Sequence, residues 1–124
     1  ICCHNYKHLN FRYYSRNENE IELENQQRYY SDNESMQMSF KIDNVNNGTY
    51  IIKTFSVSQT NGNVQNEWKE LDYFNDLSLQ EVDYLKKWCQ PKLTIRKVEA
   101  VNHKLIVETR IAAQEIQGIV IGEL

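Results

Sequence analysis

The chain is poor in both residues that punctuate regular structure, with one proline, Pro91, and four glycines in 124 residues. That count excludes collagen-like repeats and proline-rich linkers. Four scattered glycines also leave no glycine-rich loop to cradle a phosphate. Cysteine is scarce and odd in number: Cys2, Cys3 and Cys89. No regular spacing supports a disulfide framework. The three read as reduced thiols of a reducing compartment, and a cytoplasmic location is expected. Apolar runs are short, far below the roughly 20 residues of a membrane helix. Dense positive charge is missing too. The formal net charge is −3, and the tightest basic group is Lys86 and Lys87 with Lys92, Arg96 and Lys97. That group reads as a solvated face. A direct nucleic-acid partner, which needs clustered Lys and Arg, is not expected.

What is present is β-forming sequence with turn signals. Hydrophobic residues make up 40% of the chain, and its length suits one domain with one core. Ile1 to Leu9 reads as a strand, with Ile1, Cys3 and Asn5 on one face. Asn10 to Ser35 is polar and reads as a long loop ordered by its tyrosines, with either a short strand or turn near Ile21 to Leu23 or partial disorder. Met36, Met38, Phe40 and Ile42 alternate with polar residues, the period of a half-buried strand. Asn47-Gly48 suits a tight hairpin, with Thr49 to Ser58 as the return strand. Asn63 to Leu71 can form two helical turns. Ser78 and Glu81 then make a capping box before a helix whose apolar face is Leu79, Val82, Leu85 and Trp88. Pro91 ends that helix.

Beyond Pro91 the strands resume. Leu93, Ile95 and Lys97 face one side, and a turn falls near Val101 to Lys104. Leu105, Val107, Thr109 and Ile111 form another alternating set. Ile116 to Leu124 closes the chain, with Gly118 and Gly122 as weak points or bulges. The expected fold is mainly β: a single antiparallel β-sandwich over residues 1–124, with one or two short helices in an excursion at about 63–90.

No constellation of catalytic groups emerges. Cys2, Cys3, His4 and His8 invite a zinc reading. On a strand, however, His4 and His8 sit about 13 Å apart at roughly 3.3 Å per residue, beyond the reach of one ion. Glu18, Glu20, Glu22 and Glu24 alternate in the acidic loop and read as solvated charge. The aromatic residues Tyr13-Tyr14, Tyr29-Tyr30, Tyr73-Phe74, Trp68 and Trp88 read as core, with a sugar-stacking platform as the alternative. Cys89, near a helix C-terminus, lacks the electropositive setting of a reactive thiol. No catalytic, metal-binding or cofactor-binding residue is expected.

One longer pattern is more specific. It comprises Cys2 to Tyr6 with His8, then Gly48-Thr49-Tyr50. Its best part is Gly62, Trp68, Leu77-Ser78, Glu81-Val82, Tyr84-Leu85, Pro91 and Leu93. Their order and spacing resemble the C-terminal β-sandwich region of glycoside hydrolase family 39, the β-xylosidase family. Asn61 before Gly62 and Leu71-Asp72 after the tryptophan depart from the family pattern. The resemblance implies an accessory sandwich beside a catalytic barrel. The catalytic Asn-Glu-Pro motif of that barrel is absent, since Gln90 precedes Pro91.

Some AraC-type bacterial transcriptional regulators carry such a region, and the resemblance implies a regulator parent before a true β-xylosidase. The Asn- and Lys-rich composition suits a low-GC Gram-positive bacterium. The expected role is structural: packing on a neighbouring domain of the parent protein, or self-association through the Ile1 to Leu9 edge. Edge-to-edge pairing or disorder is expected there. A carbohydrate-binding effector module is the remaining reading and implies a concave aromatic face.

Overall fold

Alternating side chains do pair the chain into two antiparallel sheets. The computed structural model describes residues 1–17, 20, 23–72 and 75–124. Its strands are β1 (Cys2–His4), β2 (Met36–Asp43), β3 (Gly48–Val57), β4 (Lys92–Ala100), β5 (Lys104–Ile111) and β6 (Ile116–Glu123). One sheet has the order β1-β6-β3-β4, and the other pairs β2 with β5. The expected mainly β, antiparallel fold is therefore the observed one.

The inner faces follow from register. Ile52 pairs with Ile121 on one side and Arg96 on the other. Across the smaller sheet, Phe40 pairs with Val107 and Ile42 with Leu105. Tyr50, Ile52, Ala100, Leu105, Val107 and Ile119 are buried together, with Cys3, Phe40, Ile42 and Val45 packed around them. This apolar cluster joins the two layers.

Several local expectations are corrected. Asn44 to Gly48 is not a hairpin, because β2 pairs with β5 and β3 with β4 and β6. The segment instead crosses between sheets. Val45 packs on the core, its N–H donates to His103 O at 3.3 Å, and Asn47 Oδ1 accepts from His103 N at 2.8 Å. Burial of Val45 wins over the local hairpin preference. The positive-φ pair lies at Asn102 (53°) and His103 (59°) in the next turn, as a tight turn between twisted strands requires. β6 has no bulge: its register with β3 is unbroken from Tyr50↔Glu123 to Val57↔Ile116. Gly118 and Gly122 lie within this regular ladder, and a Cβ at either would meet open space.

The first strand is shorter than expected. β1 spans three residues and pairs with β6 alone, so it forms one edge of its sheet. Of the three residues expected to share one face, Cys3 is half-buried, Asn5 buried and Ile1 exposed.

The polar segment after it is not simply a loop. Its described part holds a short helix α1 (Phe11–Tyr14) and a 3₁₀ segment, Leu23–Tyr29, kinked at Asn25. The expected strand or turn near Ile21 to Leu23 falls partly outside the described residues; Leu23 opens the 3₁₀ segment. Asn10 anchors the excursion by donating through Nδ2 to Arg28 O (2.7 Å) and Tyr30 O (2.8 Å). Tyr29 is buried and packs edge-on to Tyr13. Lys7 and Asp32 close the base at 2.5 Å, and the Lys7 hydrogen bond holds the Asp32 carboxyl below its usual range.

Two helices, α2 (Val64–Glu70) and α3 (Leu79–Trp88), form the expected excursion between β3 and β4. The capping box at α3 is present: Ser78 Oγ accepts from Glu81 N at 3.3 Å, and Glu81 Oε2 accepts from Ser78 N at 2.6 Å. Those bonds hold the Glu81 carboxyl below its usual range. The expected apolar face is only half covered, with Val82 half-buried. Leu85 is buried, whereas Leu79 and Trp88 are exposed. With so little packing to hold α3, its cap matters more. Ser78→Ala is expected to cost about 1 kcal/mol, measured by urea denaturation of the purified chain. An unchanged midpoint would mean that α3 is already frayed in the folded state.

Candidate functional site

The sandwich interior changes character along its length. At one end the facing positions are apolar. At the other, β3 turns Thr54 and Ser56 inward, and β4 offers Lys92, Thr94 and Arg96 beside them. These residues line an open cleft of about 480 Å³ whose far wall is β5 and whose floor includes Gln117. Arg96 reaches across it, donating through Nη2 to Glu108 O.

The cleft exists because β4 and β5 diverge. Backbone pairing between them is limited, among the described residues, to the Val101↔Lys104 bridge at their turn, after which they enter different sheets. The edge of β5 facing β4 therefore carries backbone groups without ladder partners, and these must be satisfied by side chains. Gln117, buried, does much of this. Its Nε2 donates to Arg110 O (3.0 Å) and to Glu115 Oε1 (2.9 Å), and its Oε1 accepts from Thr109 Oγ1 (2.7 Å). Glu115 Oε2 accepts from Ala112 N at 2.6 Å. Asn5 donates to Ile111 O (3.2 Å) and Glu34 O (3.0 Å). The buried polar residues are thus structural in the first instance.

A second surface of interest is the outer face of the four-stranded sheet. Register places Leu93, Phe55 and Gly118 in one row across β4, β3 and β6, with Ile95, Lys53 and Val120 in another. Leu93 is 48% exposed, Ile95 57% and Val120 55%, and Phe55 and Ile116 are similarly open. The side bearing Leu93 and Ile95 therefore faces away from the core. The outer face of the smaller sheet is more polar: Ser39, Lys41 and Asp43 stand beside Ile106, which is 48% exposed, and Asp43 lies 3.9 Å from Lys104. Five uncovered apolar side chains on the outer face of one sheet, with Lys53 among them, are the pattern of a contact surface.

The residues singled out from sequence scatter over the fold. The basic group is divided. Lys86 and Lys87 lie on α3, Lys97 on the outer face, and Lys92 and Arg96 in the cleft. Reading all five as one solvated face is therefore corrected. His4, Tyr6 and His8 form a ladder of edge-on rings, with centroids 5.8 Å and 5.1 Å apart. Among the described residues, no three His, Cys, Asp or Glu side chains converge on a metal position. Glu18, Glu22, Tyr73 and Phe74 lie outside the described residues. Tyr13, Tyr14 and Tyr29 cluster at α1 and the 3₁₀ segment, while Trp88 leans on Tyr84 along α3. Trp68 is half-buried on α2, but Trp88 is 62% exposed, which corrects its reading as core. Burial pushes the Cys3 and Cys89 thiols above the usual thiol range, so neither is an activated nucleophile.

Sequence reasoning missed Asn5, Arg110, Glu115 and Gln117. A signal existed for Gln117: it sits between Ile116 and the apolar run Ile119 to Ile121. Polar residues inside a β pattern there mark a place where side chains replace ladder bonds.

Neither a protein-family model nor a curated protein matches the sequence. Among solved structures, the GH39 enzyme from Xanthomonas axonopodis pv. citri is similar over 70% of this chain, with a TM-score of 0.54 and 12% sequence identity. The chain spans 17% of that enzyme's length. At that identity the likeness is one of fold.

Proposed function

We propose that this chain is a non-catalytic accessory domain of a longer protein, and that the outer face of the four-stranded sheet packs on a neighbouring domain of that protein. The observation that carries the reading is the uncovered apolar face of Leu93, Ile95, Phe55, Ile116 and Val120. The fold likeness to a small part of a much longer enzyme supports it. Lys53 and Lys97 stand within the same face, and among the described residues neither has an ion-pair partner. The neighbouring surface should therefore be apolar with carboxylates at its rim. Half-buried Cys3 and Cys89, their thiols held above the usual range, and scattered carboxylates offer no activated nucleophile or acid–base pair among the described residues.

The parent we favour is an AraC-type regulator of a Gram-positive bacterium, acting in the cytoplasm, on the strength of the motif resemblance and its departures at Asn61 and Leu71-Asp72. Self-association through β1 is a further proposal, supported by its place at the sheet edge.

The test is the double variant Leu93→Lys with Ile95→Lys. In this chain alone its stability should stay within about 0.5 kcal/mol of the unmodified protein. In the full-length parent the same change should lower the melting temperature and loosen the domain contact seen by cross-linking. A large loss in the isolated chain would make these residues core and end the proposal. An aryl β-xyloside should not be turned over by the chain, and measurable turnover would overturn the non-catalytic reading.

A further inference from the structure

We infer that the polar cleft between β4 and β5 is a binding site for a small phosphorylated polyol of the sugar-phosphate class. This goes beyond domain packing and uses the opposite face of the large sheet. The cleft volume, about 480 Å³, lies within the roughly 300–1,000 Å³ of small-molecule sites. Its lining chemistry is specific. Lys92 and Arg96 flank the interior, and Arg110 stands at the rim with its Nε donating to Ser35 Oγ at 2.8 Å. Among the described residues, none of these three cations has an ion-pair partner.

The acids nearby do not discharge that field. Glu115 already accepts from Ala112 N and Gln117 Nε2, and Glu108 is the only other carboxylate among the described lining residues. Three cations thus face two carboxylates, one of them engaged in holding the backbone. An ammonium and a forked guanidinium suit a phosphate monoester, whose charge at neutral pH is about −1.5 to −2.

The rest of the lining selects hydroxyls. Thr54, Ser56, Thr94 and Thr109 bring hydroxyl groups, and Asn61 and Gln37 bring amides. Ser56 and Thr54 occupy inward positions of β3 in the same alternation as Tyr50 and Ile52, where apolar residues would simply extend the core. No aromatic ring stands among the described lining residues, so ring stacking of a neutral sugar is not the mode of recognition. Arg96 is held in place by its bond to Glu108 O, and Gln117 fixes Thr109. The site is therefore largely pre-formed.

The experiment is an NMR titration of the amide-labelled chain with glucose 6-phosphate, inorganic phosphate and glucose in parallel. Glucose 6-phosphate should bind saturably, with shifts concentrated at 92–96 and 108–110. Phosphate should bind more weakly, and glucose should leave the spectrum unchanged. Lys92→Gln and Arg96→Gln should each weaken glucose 6-phosphate binding by about tenfold or more, the loss of one charge-assisted contact. Lys53→Gln, on the outer face, should have no effect. The Lys92 side chain makes no hydrogen bond or ion pair among the described residues, so K92Q should keep the melting temperature of the unmodified chain and reports on binding alone. No saturable shift, phosphate binding as tight as glucose 6-phosphate, or unchanged affinity in K92Q would each overturn the assignment.

Discussion

Replacing Ile52 with alanine is expected to destabilise the domain by about 2–5 kcal/mol. Ile52 is fully buried at the centre of β3, between Ile121 of β6 and Arg96 of β4. Removing its branched side chain leaves a cavity where the two sheets meet. The walls are strands locked by ladders on both sides of β3, so they can collapse only partly. At roughly 4 °C per kcal/mol for a domain of this size, the melting temperature should fall by about 8–20 °C.

The milder Ile52→Val, expected to cost about 0.5–1.5 kcal/mol, keeps the measurement possible if the alanine variant does not fold. Ile95→Ala is the internal control. Ile95 sits on the adjacent strand but on the opposite face, 57% exposed, and its loss should change stability by less than about 0.5 kcal/mol. Equal effects at the two isoleucines would contradict the face assignment of the whole sheet.

The second large effect is electrostatic rather than apolar. Gln117→Leu should cost on the order of 3 kcal/mol, although leucine is close in size and more hydrophobic. The substitution removes two donor bonds and one acceptor bond at once. Arg110 O, Glu115 Oε1 and Thr109 Oγ1 all lose their Gln117 partner. A buried acceptor left without a donor costs about 1–3 kcal/mol, and the open cleft lets water recover part of that sum. Urea denaturation measures the loss, and amide exchange at 109–112 should accelerate with it. A stabilised leucine variant would mean that Gln117 serves only the cleft and not the fold.

The two predictions separate what was legible in the sequence from what was not. The β pattern was readable because strand burial repeats every two residues. Met38, Phe40 and Ile42, and likewise Leu105, Val107 and Ile111, needed no tertiary information. The cap at Ser78 was equally local: its donors and acceptors lie within three residues of one another.

Pairing was another matter. Asn47-Gly48 has the chemistry of a hairpin, yet β2 pairs with β5, more than sixty residues away in sequence. Nothing in the five residues of that turn encodes the burial of Val45 against the core. The faces of β4 posed the same problem. Alternation shows that Leu93 and Ile95 share a side, but only the position of the smaller sheet decides that this side is the outer one.

Sequence by itself determined that this chain is an antiparallel β protein with a capped helix before its single proline, because those features rest on neighbours along the backbone. Only the tertiary structure decided which strands share a sheet, which apolar face stays uncovered, and where Lys92 and Arg96 meet Gln117. Those outcomes depend on groups brought together from opposite ends of the chain, where burial and backbone satisfaction outweigh any local preference.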